Sequence, residues 1–127
     1  MSNRIQMVYQ ALKEIFSDMN KDVGLVIVEG KRDKEAVQSF GFKGKVTCLH
    51  ALLESNFQQP LNSSVVILTD FDEEGKRLNK KLEQQLCGSV KIYKRYRKQI
   101  GKLLGLIGRK DVESLNNLMH NNLSIEG

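Results

Sequence analysis

Three acidic residues, Glu29, Asp70 and Asp72, each end or follow a short apolar run, and together they could do chemistry on a phosphate. Residues two apart in an extended segment project to the same side, so Asp70 and Asp72 can direct both carboxylates to one point. Glu29 can meet them from a neighbouring strand. Crowded carboxylates repel one another, and a hard divalent cation with oxygen ligands relieves that repulsion. The spacing therefore predicts a metal site at these residues, with Mg²⁺ as the natural cation and Mn²⁺ as its substitute.

The elements that must position these carboxylates alternate between strands and helices. Short runs rich in apolar and β-branched residues predict strands at 25–28, 45–49, 65–69 and 90–93. Apolar residues at three- and four-residue steps predict a helix at 4–19, a short helix from Asp33 to about 40, a helix at 73–86 and basic C-terminal helices at 95–121. The stretch 50–57 has an ambiguous period that allows a short helix, and 58–63 is predicted as a loop.

This alternation indicates an α/β fold, a three-layer α/β/α sandwich with a mostly parallel four-stranded sheet. Ligands of such sheets bind beyond the carboxyl ends of the strands, where Glu29 and Asp70 lie. The chain has 127 residues, and we expect one domain over 1–127 with a motif-bearing core at about 25–93.

The composition predicts the cellular compartment and argues against a zinc site. No apolar run is long enough for a membrane span, and the polar start does not resemble a signal peptide, so we expect a cytoplasmic protein. Cys48 and Cys87 lie far apart, and His50 and His120 do not have the spacing of a zinc site. Two unpaired thiols also fit a reducing compartment.

The positive charge is concentrated in one part of the sequence. The net charge is +5, and residues 91–110 contain eight basic side chains and no acidic one. A helix with one merely solvated face usually mixes signs, so we favour a surface that binds a nucleic-acid backbone over that alternative. The predicted phosphate contacts are Lys31, Arg32, Lys94, Arg95, Arg97, Lys98 and Lys102. Tyr93 and Tyr96 could stack on bases or pack in the core.

Two segments resemble the motifs of the Toprim family. Residues 26–33, VIVEGKRD, are similar to its first motif, and residues 66–75, VILTDFDEEG, are similar to its second. The resemblance extends to the small stand-alone Toprim proteins of archaea and bacteria. It implies that Glu29 is a general acid or base, that Asp70 and Asp72 hold Mg²⁺, and that Gly30 and Gly75 let backbone approach the site.

Two of these acidic positions have a structural alternative. Asp72 could be the N-cap of the helix that begins at Glu73. Asp33 could cap the short helix, or it could hold a metal ligand in position without touching the metal. For Asp72 we favour the metal, and for Asp33 the cap.

The resemblance predicts a Mg²⁺-dependent phosphoryl-transfer protein, most simply a small nuclease acting on RNA or DNA. One alternative is a non-catalytic nucleic-acid-binding module of a larger complex, in which a protein partner supplies specificity. A third is a haloacid-dehalogenase-like phosphatase, which also uses two aspartates after a strand. Its usual threonine or valine two residues after the second aspartate is Glu74 here. The sequence leaves the oligomeric state open.

Overall fold

The computed structural model describes residues 3–50 and 63–126 and contains nine elements in them. In chain order these are α1 (Asn3–Asp22), β1 (Leu25–Val28), α2 (Lys31–Ser39), β2 (Lys45–Cys48), β3 (Ser64–Leu68), α3 (Glu73–Leu86), β4 (Lys91–Ile92), α4 (Lys94–Leu106) and α5 (Ser114–Glu126). The predictions for 51–57 and 58–62 lie outside the described residues. No helix in the described part of the chain is long and apolar enough to cross a membrane.

The described strands form one parallel sheet in the order β2-β1-β3-β4. The central strands, β1 and β3, are in a register that pairs Val28 with Leu68, so their carboxyl ends lie side by side. Their residues are apolar almost throughout because helices cover both faces of the sheet. The predicted α/β fold is confirmed, and all the described pairings are parallel.

The two faces of the sheet carry unequal layers. On one face, Val26, Val28, Val66 and Leu68 belong to a core that includes apolar side chains of α1, α2, α4 and the segment around α5. On the other face, Leu25, Ile27, Val65 and Ile67 pack against Leu82 and Leu86 of α3. The side chains of α4 that point into the core therefore lie on the same side of the sheet as those of α1.

Several predicted boundaries were wrong, including those of α1, α2 and β4, and the last helix continues past 121 to Glu126. Helix α1 does not end at 19 but continues to Asp22, because the next residue, Val23, is buried and its amide still donates to Met19. Helix α2 begins at Lys31, with Gly30 as N-cap. Strand β4 has two residues instead of four, since Tyr93 is already the N-cap of α4.

Candidate functional site

Glu29 and Asp70 meet where the two central strands end. Glu29 directly follows β1, and its Oε2 accepts a hydrogen bond of 2.7 Å from the backbone amide of Asp70. This contact follows from the parallel register, which places the residues after Val28 and Leu68 at the same end of the sheet. The structure thus brings together two acidic residues that are 41 residues apart in the sequence.

The two aspartates are each held by a further backbone amide. Asp70 Oδ1 accepts from Val112, which precedes α5, at 2.9 Å. Asp72 is the N-cap of α3, and its Oδ1 accepts from Gly75 at 2.7 Å. The cap that the sequence offered as an alternative for Asp72 is therefore present. A carboxylate has two oxygens and about four acceptor positions, so this contact leaves acceptor capacity for a cation.

Asp33 completes a cluster of acids that we term the acidic edge, which consists of the half-buried Glu29 and Asp70, the buried Asp33 and the exposed Asp72. Asp33 lies in the first turn of α2 and reaches back to accept from the amide of Gly30 at 3.1 Å. The sequence predicted that Asp33 itself would cap the start of the helix; Gly30 is the N-cap instead, and Asp33 accepts from its amide at the third position of the helix. Its side chain is only 8% exposed, and burial, with Asp70 and Glu29 nearby, raises its pKa to about 6.

The electrostatics of the acidic edge favour a bound cation. Burial raises the pKa of Glu29, and repulsion from Asp70 and Asp72 adds to that rise, against the lowering effect of its backbone hydrogen bond. Burial likewise raises the pKa of Asp70, and repulsion from Asp72 and Asp111 adds to it. Burial and mutual repulsion both disfavour the ionised forms of Glu29 and Asp70. A divalent cation would stabilise those ionised forms.

Gly75 is required by the close approach of α3 to the loop that follows β3. A Cβ at this position would lie 1.9 Å from the carbonyl oxygen of Asp70, which no side chain tolerates. Thr69 strengthens the same contact, since its buried hydroxyl donates to the Gly75 carbonyl at 2.6 Å. Gly30 is different, because a Cβ there would be 3.9 Å from the nearest atom, an oxygen of Asp33.

The arginines that the sequence predicted as phosphate contacts are engaged within the protein. Arg97 donates to the carbonyls of Thr69 and Asp70 at 2.6 and 3.0 Å. Arg95 donates to Asp22 of α1 at 3.0 Å. Arg32 donates to Glu113 at 3.2 Å, in an exposed pair. Their contact with phosphate remains a prediction, and the structure gives each of them an intramolecular partner as well.

The two tyrosines lie on the core side of α4. Tyr96 is 2% exposed, and its hydroxyl donates to Asp22 at 2.6 Å. Tyr93 is half-buried, and its ring centroid is 5.8 Å from that of Tyr96. Tyr96 is therefore a packing residue and not an exposed platform for bases.

The predicted lysines of α4 are exposed, and they differ from the arginines in their lack of an intramolecular partner among the described residues. Lys94, Lys98 and Lys102 follow one another at four-residue intervals, which places them on one face of the helix. We term these three residues the lysine stripe. None of them has an ion pair with another residue of the described chain. Lys31, at the start of α2, is also exposed.

Helical geometry relates the lysine stripe to the face of α4 that carries Arg97. At about 100° per residue, Lys98 is displaced by roughly a quarter turn from Arg97, which contacts the loop of Asp70. Tyr96 and Ile100, which face the core, lie on the opposite side of Arg97 from Lys98. The lysine stripe therefore lies on the solvent side of α4, next to the face that carries Arg97.

Sequence reasoning missed part of the site. The backbone amide of Val112 binds Asp70, and the carbonyl of Lys110 accepts from the amide of Phe71 at 2.6 Å. Backbone groups of a loop leave no signature in residue types. Gly101, where a Cβ would come within 2.6 Å of the Phe71 ring, did leave a signature, because a glycine inside a helix costs about 1 kcal/mol relative to alanine and often marks a close contact.

Within residues 3–50 and 63–120 no three Asp, Glu, His or Cys side chains form a ready-made metal cage. Mg²⁺ rarely needs one, since it is usually held by one or two carboxylates together with waters and substrate phosphates. The oxygen donors of the acidic edge, and the raised pKa values of Glu29, Asp33 and Asp70, fit such an open site.

Comparison with known proteins gives a consistent picture. The Toprim domain family model matches residues 24–103. A UPF0292 protein of Pyrococcus furiosus is 32% identical, with 87% of this chain and 82% of that protein covered. Another from Methanosarcina acetivorans is also 32% identical, with 91% and 79% covered. A solved structure of a protein from Aquifex aeolicus has the same fold, with a TM-score of 0.59, 20% identity, and coverage of 89% of this chain and 99% of that one.

Proposed function

Because the chain belongs to the Toprim domain family, we propose that it is a Mg²⁺-dependent phosphoryl-transfer enzyme, most simply a nuclease acting on RNA or DNA. Membership of this family indicates a metal-dependent function connected with nucleic acid. The reaction, the choice of Mg²⁺ and the assignment of residues are the proposal.

The observation that carries the proposal is the hydrogen bond of 2.7 Å from the backbone amide of Asp70 to the carboxylate of Glu29. It joins the two Toprim-like motifs at the ends of adjacent central strands, where α/β sheets bind ligands. Asp72 is held two residues further on by Gly75. Three carboxylates at one sheet edge supply the hard oxygen ligands that Mg²⁺ prefers.

Each residue of the acidic edge has a distinct role in the proposed reaction. Asp70 and Asp72 would hold the metal with oxygens not engaged by backbone amides, and Glu29 would contribute from the neighbouring strand. Bound Mg²⁺ neutralises charge that develops on the phosphate and orients the reacting groups. Glu29 would accept or donate the proton through Oε1, since Oε2 binds the amide of Asp70. Its raised pKa suits proton transfer nearer neutral pH.

The lysine stripe would bind the substrate backbone. Its exposed ammonium groups can neutralise successive phosphates without losing an intramolecular partner. Lys31 lies two residues after Glu29 and would add a cation beside the scissile phosphate. Binding and chemistry would thus depend on adjacent faces of the same molecule.

Cleavage of a labelled panel of RNA and DNA, single- and double-stranded, tests this proposal. We expect cleavage of at least one substrate in Mg²⁺ and none in EDTA. Glu29→Gln and Asp70→Asn should each reduce the rate by about a hundredfold or more, because both the proton transfer and the metal depend on them.

Asp18→Asn is the matched control for these variants. It removes one negative charge from the exposed face of α1, near the end of that helix that leads to the amino end of β1 and not to its carboxyl end. Its rate should equal that of the wild type. Cleavage that survives in Glu29→Gln and Asp70→Asn at the wild-type rate would show that the assignment is wrong.

A second candidate is a binding module that does no chemistry by itself. The observation that favours it is the open arrangement of the described carboxylates, which does not form a metal cage by itself. In this case the same panel would show binding that depends steeply on salt, persists in EDTA and is never followed by cleavage.

A further inference from the structure

Arg97 connects α4 to the loop that carries two of the proposed metal ligands. Its two terminal nitrogens donate to consecutive carbonyls, those of Thr69 and Asp70, at 2.6 and 3.0 Å. Charge-assisted bonds from a planar guanidinium to two fixed acceptors impose a definite geometry. The backbone immediately before Asp72 is therefore held from the side of α4.

Phe71 lies between the two aspartates and packs on the same surface of α4. The guanidinium carbon of Arg97 is 4.5 Å from the centroid of its ring. One turn further along the helix, a Cβ on Gly101 would come within 2.6 Å of the ring. The absence of a side chain at Gly101 thus creates the space that Phe71 occupies.

These contacts compensate for the burial of a positive charge. Burial lowers the pKa of Arg97, while Glu83, Asp70 and Glu29 act to raise it. A half-buried guanidinium needs its hydrogen-bond partners, since removing them leaves a desolvated charge without compensation. Arg97 therefore stabilises the one loop conformation in which both carbonyls point toward α4.

We propose that Arg97 is a positioning residue which, together with Phe71 and Gly101, fixes the backbone from Thr69 to Asp72 and so directs the carboxylates of Asp70 and Asp72. What those carboxylates then do rests on the function proposed above. The sequence suggested another role for Arg97, a contact with phosphate. The two roles predict different results.

Hydrogen exchange at three backbone amides reports the position of the carboxylates directly. The amides of Asp70, Val112 and Gly75 donate to Glu29, Asp70 and Asp72 respectively. In Arg97→Met we expect exchange at Asp70 and Val112 to become at least about tenfold faster, because the loop opens more often. Arg97→Lys should restore part of the protection, since an ammonium can still donate to a carbonyl but does not stack on Phe71 in the same way.

Gly101→Ala tests the same contact without a change of charge. The new methyl group would displace the Phe71 ring, so exchange at Asp70 and Val112 should again become faster. Gly105→Ala is its matched control on the same helix, because a Cβ there meets no atom within 4 Å. Exchange in Gly105→Ala should equal that of the wild type at all three amides.

Measurements of Mn²⁺ binding and of nucleic-acid binding test the positioning role of Arg97 against direct contact with phosphate. Positioning predicts weaker Mn²⁺ binding in Arg97→Met and in Gly101→Ala, with nucleic-acid binding in EDTA unchanged in Gly101→Ala. Unchanged exchange at Asp70 and Val112 in both variants overturns the proposal, and it does so whether or not the protein binds metal. If the wild type binds no Mn²⁺ but exchange responds as expected, the proposed function fails and the positioning role of Arg97 is supported.

Discussion

The acidic edge and the lysine stripe both gather charges of one sign, but they differ in their access to water. The carboxylates of Glu29, Asp33 and Asp70 are half-buried or buried, and burial is the largest cause of their raised pKa values. The lysine stripe is exposed, so solvent and salt screen its charges. Repulsion between like charges is costly mainly where water is withheld. We therefore expect the acidic edge to respond to pH and metal, and the lysine stripe to respond to salt.

The largest expected effect comes from Gly75→Ala, which disrupts the acidic edge without changing any charge. The methyl group cannot occupy a position 1.9 Å from the Asp70 carbonyl oxygen, so α3 or the loop after β3 must move. We expect the free energy of unfolding to fall by about 3 kcal/mol or more, at the upper end of the cost of overpacking. Urea denaturation measures this loss. If Gly75→Ala were as stable as Gly105→Ala, the close contact would be absent in solution.

A smaller effect concerns pH. The pKa of Asp33 is about 6 in the folded protein, above its ordinary value of 3.8. The folded state therefore binds the Asp33 proton more tightly than the unfolded state does. The stabilisation that the protonated carboxyl provides is present below about pH 4 and is lost as the pH rises to about 6. In EDTA, the free energy of unfolding should fall over this interval by an amount on the order of 2 kcal/mol.

Asp33→Asn tests the origin of that slope. Asparagine keeps an oxygen that can accept from the Gly30 amide but has no carboxyl to titrate, so the slope should become shallower. Glu29 and Asp70 shift in the same direction, so part of the slope should remain. Asp18→Asn, on the exposed face of α1, should keep the full slope. Equal slopes in Asp33→Asn and the wild type would contradict this account.

Substitutions in the lysine stripe should have little effect on stability and a measurable effect on nucleic-acid binding. Replacing Lys94, Lys98 and Lys102 with glutamine should change the free energy of unfolding by less than about 0.5 kcal/mol per residue. It should reduce the slope of the logarithm of nucleic-acid affinity against the logarithm of salt concentration by about 0.7 per lost contact on a single strand. A triple variant of Lys43, Lys80 and Lys81, which are also exposed, is the charge-matched control and should keep the wild-type slope. Equal slopes in the two triple variants would remove the lysine stripe from the interface.

The sequence predicted the strands and the acids better than the basic residues. The apolar runs that end before Glu29 and Asp70 are buried on both faces, and so their pattern alone predicts parallel strands and places the acids at one edge. Arg95 and Arg97 look like Lys94 and Lys98 in a charge count, yet their partners are Asp22 and two backbone carbonyls. Asp22 lies 73 residues from Arg95 in the sequence, and the carbonyl groups that bind Arg97 are present in every residue, so neither contact could be predicted from residue types. The amide of Val112, which binds Asp70, could not be predicted for the same reason.

The central claim is that the acidic edge binds a divalent metal, and titration calorimetry with Mg²⁺ and Mn²⁺ tests it most directly. Wild type and Asp18→Asn should bind with equal affinity, while Glu29→Gln and Asp70→Asn should bind at least about tenfold more weakly, because each loses a charged oxygen ligand. Binding should also weaken at low pH, since protons compete for the same carboxylates. Equal affinity in all four proteins, or no binding by the wild type at millimolar metal, would contradict the claim.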